Sequence, residues 1–154
     1  MPSSWIDKMA GESRWLRASQ LEKEERYEEA LKLYLEEAEE QEERSLALSA
    51  LSFLSAAKCA VKLGRLDEAR KYFEEAGARY EKYADSIISI SPNSSAWAYK
   101  MASRCYNWAG KDREADNILR KSESLREKLG EEGEKHLPLF KPYKPRREES
   151  EKKI

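Results

Sequence analysis

Lys100 and Arg104 stand four residues apart, a spacing that puts both cations on one face of a helix. Such a pair can hold a carboxylate, the guanidinium supplying two parallel hydrogen bonds. Trp97, Tyr99, Tyr106 and Trp108 crowd the same segment. Aromatics at helical spacing are more often core than contact, but a Trp left exposed marks an anchoring point for a partner. Little else in the chain carries chemistry. His136 is the sole histidine and has no Cys or His cluster around it, which excludes a zinc-type site. Cys59 and Cys105 are too few for a disulfide framework and read as small buried hydrophobes. No Gly-rich phosphate loop, nucleophile elbow or His-Glu metal motif occurs. No catalysis, cofactor or small-molecule substrate is expected.

Composition narrows the partners. The 154 residues suggest one domain, and Lys plus Arg (29) nearly balance Asp plus Glu (30). A net charge of −1 sets up no global field toward nucleic acid or a membrane surface. No apolar run of about 20 residues is present, so no membrane insertion is expected. Asp7, Lys8, Glu12 and Arg14 interrupt any signal-peptide core. A cytoplasmic location is the default expectation.

The elements that position these residues are helical. Tyr27, Ala30, Leu31, Tyr34 and Ala38 recur at spacings of three and four, with glutamates between them. The segment from Leu46 to Leu63 is apolar around most of its circumference, which predicts a central helix covered on several sides. Glycines at 64, 110 and 130 act as stops, and Ser91-Pro92-Asn93-Ser94 is a turn with Ser94 or Ser95 as the next N-cap. Six helices follow, over 12–24, 27–43, 46–63, 66–89, 95–109 and 112–129. Their short connections force antiparallel hairpins. Residues 1–130 form the helical domain. Residues 131–154 lose periodicity and read as an extended, Pro-containing basic tail, partly disordered, whose stretch Leu137 to Tyr143 could fold back into the groove, cap the last hairpin or serve as a linear motif for a partner, with capping favoured.

An internal repeat organises the helices. Gly64-Arg65-Leu66-Asp67-Glu68-Ala69 recurs as Gly110-Lys111-Asp112-Arg113-Glu114-Ala115, with a degenerate copy at Glu25-Arg26-Tyr27-Glu28-Glu29-Ala30. Four residues after each alanine comes a bulky residue, Tyr34, Phe73 or Leu119, and a small one follows near three beyond, Ala38, Ala76 or Ser122. The alanine lets the two helices of a hairpin approach, and the bulky residue fills the next gap. Ahead of the turn, Ala56, Ala57 and Ala60 align with Ala102, Ser103 and Tyr106.

These residues resemble the tetratricopeptide repeat over about 12–129. The resemblance implies an all-α fold of three antiparallel hairpins stacked as a right-handed solenoid or bundle. The turn positions 25, 64 and 110 are unequally spaced, and the lengthened hairpins look like those of soluble NSF attachment proteins. In the resembling family the first helix of each hairpin lines a groove that grips peptides or partner helices. Carried over, that groove consists of Leu54, Lys58, Val61 and Lys62, then Trp97, Lys100, Arg104, Asn107 and Trp108, with Trp15 and Ser19 in the first copy. Tyr99 and Tyr106 fall on core positions. Lys100 and Arg104 occupy two places of the family's carboxylate clamp, but Lys58, Trp15 and Ser19 depart from its other members.

The expected function is a protein-interaction scaffold that binds a peptide or helix, acidic in character. Residues 22–44 carry eleven acids and four bases, whereas 94–130 carry eight bases and five acids. That polarity leaves a self-associating, homo-oligomeric module as the alternative. A nucleic-acid adaptor ranks third, because the overall charge opposes it.

Overall fold

The computed structural model describes residues 14–136, with side chains as far as Glu131. Six helices run in order: α1 (Arg14–Lys23), α2 (Tyr27–Gln41), α3 (Leu46–Lys62), α4 (Leu66–Ile87), α5 (Pro92–Trp108) and α6 (Asp112–His136). No strand occurs among the described residues. No described helix is long and apolar enough to cross a membrane.

The three repeat turns share one backbone device. Glu25, Gly64 and Gly110 all adopt positive φ, at 62°, 76° and 81°. The residue after each donates its N–H to a carbonyl five residues back. Arg26 bonds Leu21 at 2.9 Å, Arg65 bonds Ala60 at 2.9 Å and Lys111 bonds Tyr106 at 2.8 Å. This left-handed closure satisfies carbonyls that a helix end would otherwise orphan. The next helix then starts with acids in its first turn, Glu28 and Glu29 in α2, Asp67 and Glu68 in α4, Asp112 and Glu114 in α6. Negative charge there complements the helix dipole.

Two boundaries differ from the sequence expectation. Helix α5 begins at Pro92, with Ser91 as its N-cap, three residues before the predicted start. Proline is suited to that first position because its missing N–H would have no intrahelical acceptor. Helix α6 passes through Gly130, the expected stop, and continues to His136. Gly130 does not take the left-handed conformation that follows α1, α3 and α5. A glycine inside a helix costs only about 1 kcal/mol, which the half-buried Leu125 and Leu129 on the same helix offset. The Pro-rich stretch beyond 136 and its capping role lie outside the described residues.

Each helix packs chiefly on its neighbours in sequence, as connections of three or four residues require. The result is a helical-repeat architecture of stacked hairpins. Its main core joins Phe53 and Leu54 of α3 with Phe73, Ala76 and Tyr80 of α4, Tyr99, Ala102 and Tyr106 of α5, and Ile118 of α6. A second cluster joins Ala18, Leu31, Tyr34, Ala56 and Cys59 at the α1 end. Cys59 and Cys105 are free, buried and assigned to different clusters.

The unequal repeat spacing has a simple origin. Helix α2 has 15 residues and α4 has 22. The difference is seven residues, close to two full turns, so an apolar face keeps its direction across the insertion. Ala30 therefore matches Ala69 at the start of the two helices, whereas Tyr34 and Ala38 match Tyr80 and Ala84 at their ends. From Ala38 onward the repeat is 46 residues. Ser49 bonds the Ala38 carbonyl at 2.7 Å, and Ser95 bonds the Ala84 carbonyl at 2.8 Å in the same relation.

Candidate binding surface

The odd-numbered helices come together around one cavity of about 510 Å³. Lys58, Val61 and Lys62 of α3 form one wall and Trp108 of α5 the other. Phe73 of α4 forms the floor, and Glu22 of α1 closes one edge. Trp108 is 49% exposed and leans on Phe73, ring centroids 5.4 Å apart. Val61 is also exposed, so most of the lining presented to solvent is aliphatic or aromatic.

The helical period explains the wall. Lys58 and Lys62 are one turn apart on α3, and Val61 lies beside them three residues from Lys58. The opposite side of the same helix buries Ala56, Ala57 and Ala60, which let α2 and α4 close on it. The lysine stems therefore lie along apolar surface while the ammonium groups reach water.

Of the groove residues carried over from sequence, the structure brings together Lys58, Lys62 and Trp108. Val61, carried over with them, joins the same wall. Trp97 lies eleven residues before Trp108 on α5 and is 48% exposed, set edge-on to Tyr80 at 6.0 Å. Between the two tryptophans, Lys100 is half-buried, and Arg104 and Asn107 are exposed. None of these four lines the cavity; they continue α5 alongside it. Leu54 is 4% exposed and belongs to the main core, where it packs and does not face a ligand. Trp15 and Ser19 are half-buried at the α1 end, and Trp15 sets its ring edge-on to Tyr34 at 6.3 Å.

Two lining residues were absent from the sequence-derived groove. Phe73 appeared in the repeat only as a packing residue; it is buried, yet its ring still floors the cavity. Glu22 accepts the Tyr34 hydroxyl hydrogen bond at 2.8 Å. Burial, with Glu22 second, pushes the Tyr34 phenol well above its ordinary range. Nothing in the local sequence marked either residue as cavity lining, because each is brought in from a neighbouring helix.

Two lysines and one glutamate, Glu22, line the cavity. Lys58, Lys62, Lys100 and Arg104 have no acidic partner within 4.0 Å among the described residues. Some cations elsewhere are paired, as Arg65 with Glu28 at 2.9 Å and Arg79 with Glu42 at 2.7 Å. Among the described residues no group of three or more His, Cys, Asp or Glu side chains is placed to hold a metal ion. Burial pushes both thiols, Cys59 and Cys105, up to about 12, which removes the thiolate a reactive cysteine needs.

No family model matches the chain, and neither a curated protein nor a solved structure does.

Proposed function

We propose that this protein is an interaction scaffold of the tetratricopeptide-like kind, which holds an acidic segment of a partner protein on the face built by α1, α3 and α5. The cavity under Trp108 supports the reading most directly: an apolar floor and wall rimmed by Lys58 and Lys62 suits a bulky apolar side chain flanked by carboxylates. The unpaired Lys100 and Arg104 extend the same positive character along α5. Exposed charges of this kind raise encounter rates and select the partner's sign more than they add affinity. The Trp108 ring over Phe73 supplies the desolvated contact that dominates such interfaces. The chain acts by holding, and no reaction is assigned to it.

Capture from the native cell lysate tests the reading, followed by direct titration of each captured protein. Lys58→Glu with Lys62→Glu, and separately Trp108→Ala, should each weaken binding at least tenfold while helicity is kept. A partner held equally well by both variants would move the site elsewhere.

A further inference from the structure

The 46-residue register pairs two places away from the Trp108 cavity, with no lining residue in common with it. In the earlier one, the Arg79 guanidinium lies 4.4 Å over the Phe53 ring. Two carboxylates neutralise it there, Glu75 at 2.6 Å and Glu42 at 2.7 Å. Glu42 is the residue that caps the end of α2.

One repeat later the acids are replaced. Tyr99 stands where Phe53 stood, and Ile88, which caps α4, stands where Glu42 stood. Lys121 replaces Glu75, Arg120 replaces Glu74, and Leu125 replaces Arg79. Lys128 keeps the basic character of Lys82. These residues line a cavity of about 410 Å³ with Tyr99 as its floor.

The local acids cancel only part of this charge. Glu81 reaches Lys121 only at 3.9 Å, and Asp85 is engaged by the Tyr99 hydroxyl. Lys121 also lies 5.7 Å over the Tyr99 ring. Arg120 and Lys128 have no acidic partner within 4.0 Å among the described residues. The hydroxyl of Ser124 and the aliphatic Leu125 and Ile88 complete a lining that is both cationic and apolar.

We infer that this cavity between the end of α4 and helix α6 is a second binding site, for a Glu- or Asp-rich peptide segment of a partner protein. The earlier repeat supplies the template: a carboxylate from the neighbouring turn sits against a cation on an aromatic floor. In the later repeat Leu125 takes the place of Arg79, Lys121 and Arg120 take the places of Glu75 and Glu74, and the turn offers Ile88. Cations again stand by an aromatic floor but without a carboxylate from the turn, a lack that an acidic segment of a partner would fill. The site is independent of the face under Trp108, because none of its lining residues is shared.

The probe is a fluorescein-labelled twelve-residue peptide of alternating Glu and Leu, titrated by anisotropy into the full chain. Arg120→Gln with Lys128→Gln should weaken its binding at least tenfold. Ile88→Glu, which restores the acid found at Glu42, should do the same. Lys58→Gln with Lys62→Gln should change this site's affinity less than twofold. Because Arg120 and Lys128 are exposed, that pair reads the site even if Ile88→Glu disturbs the turn. Unchanged binding by the Arg120 and Lys128 pair overturns the inference, and so does loss confined to the Lys58 and Lys62 pair. Two further results overturn it. One is inorganic phosphate competing at lower concentration than the peptide, which makes the site a free-anion site. The other is light scattering that shows a dimer dissolved by the Arg120 and Lys128 substitutions, which makes the occupant a second copy.

Discussion

Ser95 donates its hydroxyl proton to the carbonyl of Ala84 over 2.8 Å, across the joint between α4 and α5. Ala84 is fourth from the end of α4, so its carbonyl has no intrahelical donor to meet. The serine side chain is fully buried and supplies that donor.

Replacing Ser95 with Ala should therefore destabilise the chain by about 1–3 kcal/mol, the cost of leaving a buried acceptor unpaired. The equivalent Ser49→Ala, which orphans the Ala38 carbonyl, should cost a similar amount. Urea unfolding midpoints measure both. A loss below about 0.3 kcal/mol in each would mean that water takes over the acceptor, and the register bond would have no energetic role.

The three positive-φ turns make a prediction of opposite sign at different positions. Glu25 holds a conformation, φ 62°, that costs an L side chain about 1–2 kcal/mol. Glu25→Gly should stabilise by about 0.5–1 kcal/mol, the strain relief being reduced by the greater freedom of glycine in the unfolded chain. Gly64→Ala and Gly110→Ala should each destabilise by about 1 kcal/mol. A Cβ at either site meets nothing within 4 Å, so the loss is backbone strain alone. Denaturant midpoints at constant slope separate the cases.

Much of this architecture was legible because its signals are local. The Gly-Arg-Leu-Asp-Glu-Ala motif located the turns, and 25, 64 and 110 are the three residues with positive φ among the described residues. Apolar spacing located the helices. Pro92 misled because a proline marks both a turn and the first position of a helix, and only the tertiary path decides between them. Gly130 misled because glycine stops a helix only where the chain turns left-handed after it. Leu54 illustrates a different limit. Its groove assignment rested on family register, whereas the packing of α3 against its neighbours turned it inward. The cationic cavity over Tyr99 draws on three separate segments. Its one sequence trace is the exchange of Glu42 and Glu75 for Ile88 and Lys121 at 46 residues.

Gly77 makes a close approach possible in the middle of α4. A Cβ there would sit 3.3 Å from three carbons of the Tyr106 ring. The ring cannot slide away freely: it is buried and its hydroxyl bonds Glu81 at 3.2 Å. Alanine would gain about 1 kcal/mol of helix propensity but would crowd the core by about 1–3 kcal/mol. Gly77→Ala should thus destabilise by about 1 kcal/mol. In a Tyr106→Leu background the same substitution should become stabilising, and the double-mutant cycle reports the coupling. A Gly77→Ala protein more stable than the parent would show that α5 shifts to make room.

The buried thiols and phenols predict an alkaline limit to stability. Burial pushes Cys59 and Cys105 from an ordinary value of 9.0 up to about 12. Burial, reinforced by Asp85, likewise raises Tyr99 from 10.0 to about 12. Each group is neutral in the fold and ionises more readily in the unfolded chain. Stability from these groups is therefore fully present below about pH 9 and falls as pH rises toward 12, because the unfolded state loses protons first. Urea midpoints should hold between pH 7 and 8.5 and then drop steeply by pH 10.5. Cys59→Ala with Cys105→Ala should flatten the first part of that drop, between pH 9 and 10, and leave the tyrosine part in place. Thiol labelling gives an independent check. At pH 8 both cysteines should react with an aromatic disulfide reagent only at the rate of global unfolding. Fast labelling of Cys59 alone would show that the α1 end opens separately from the main core.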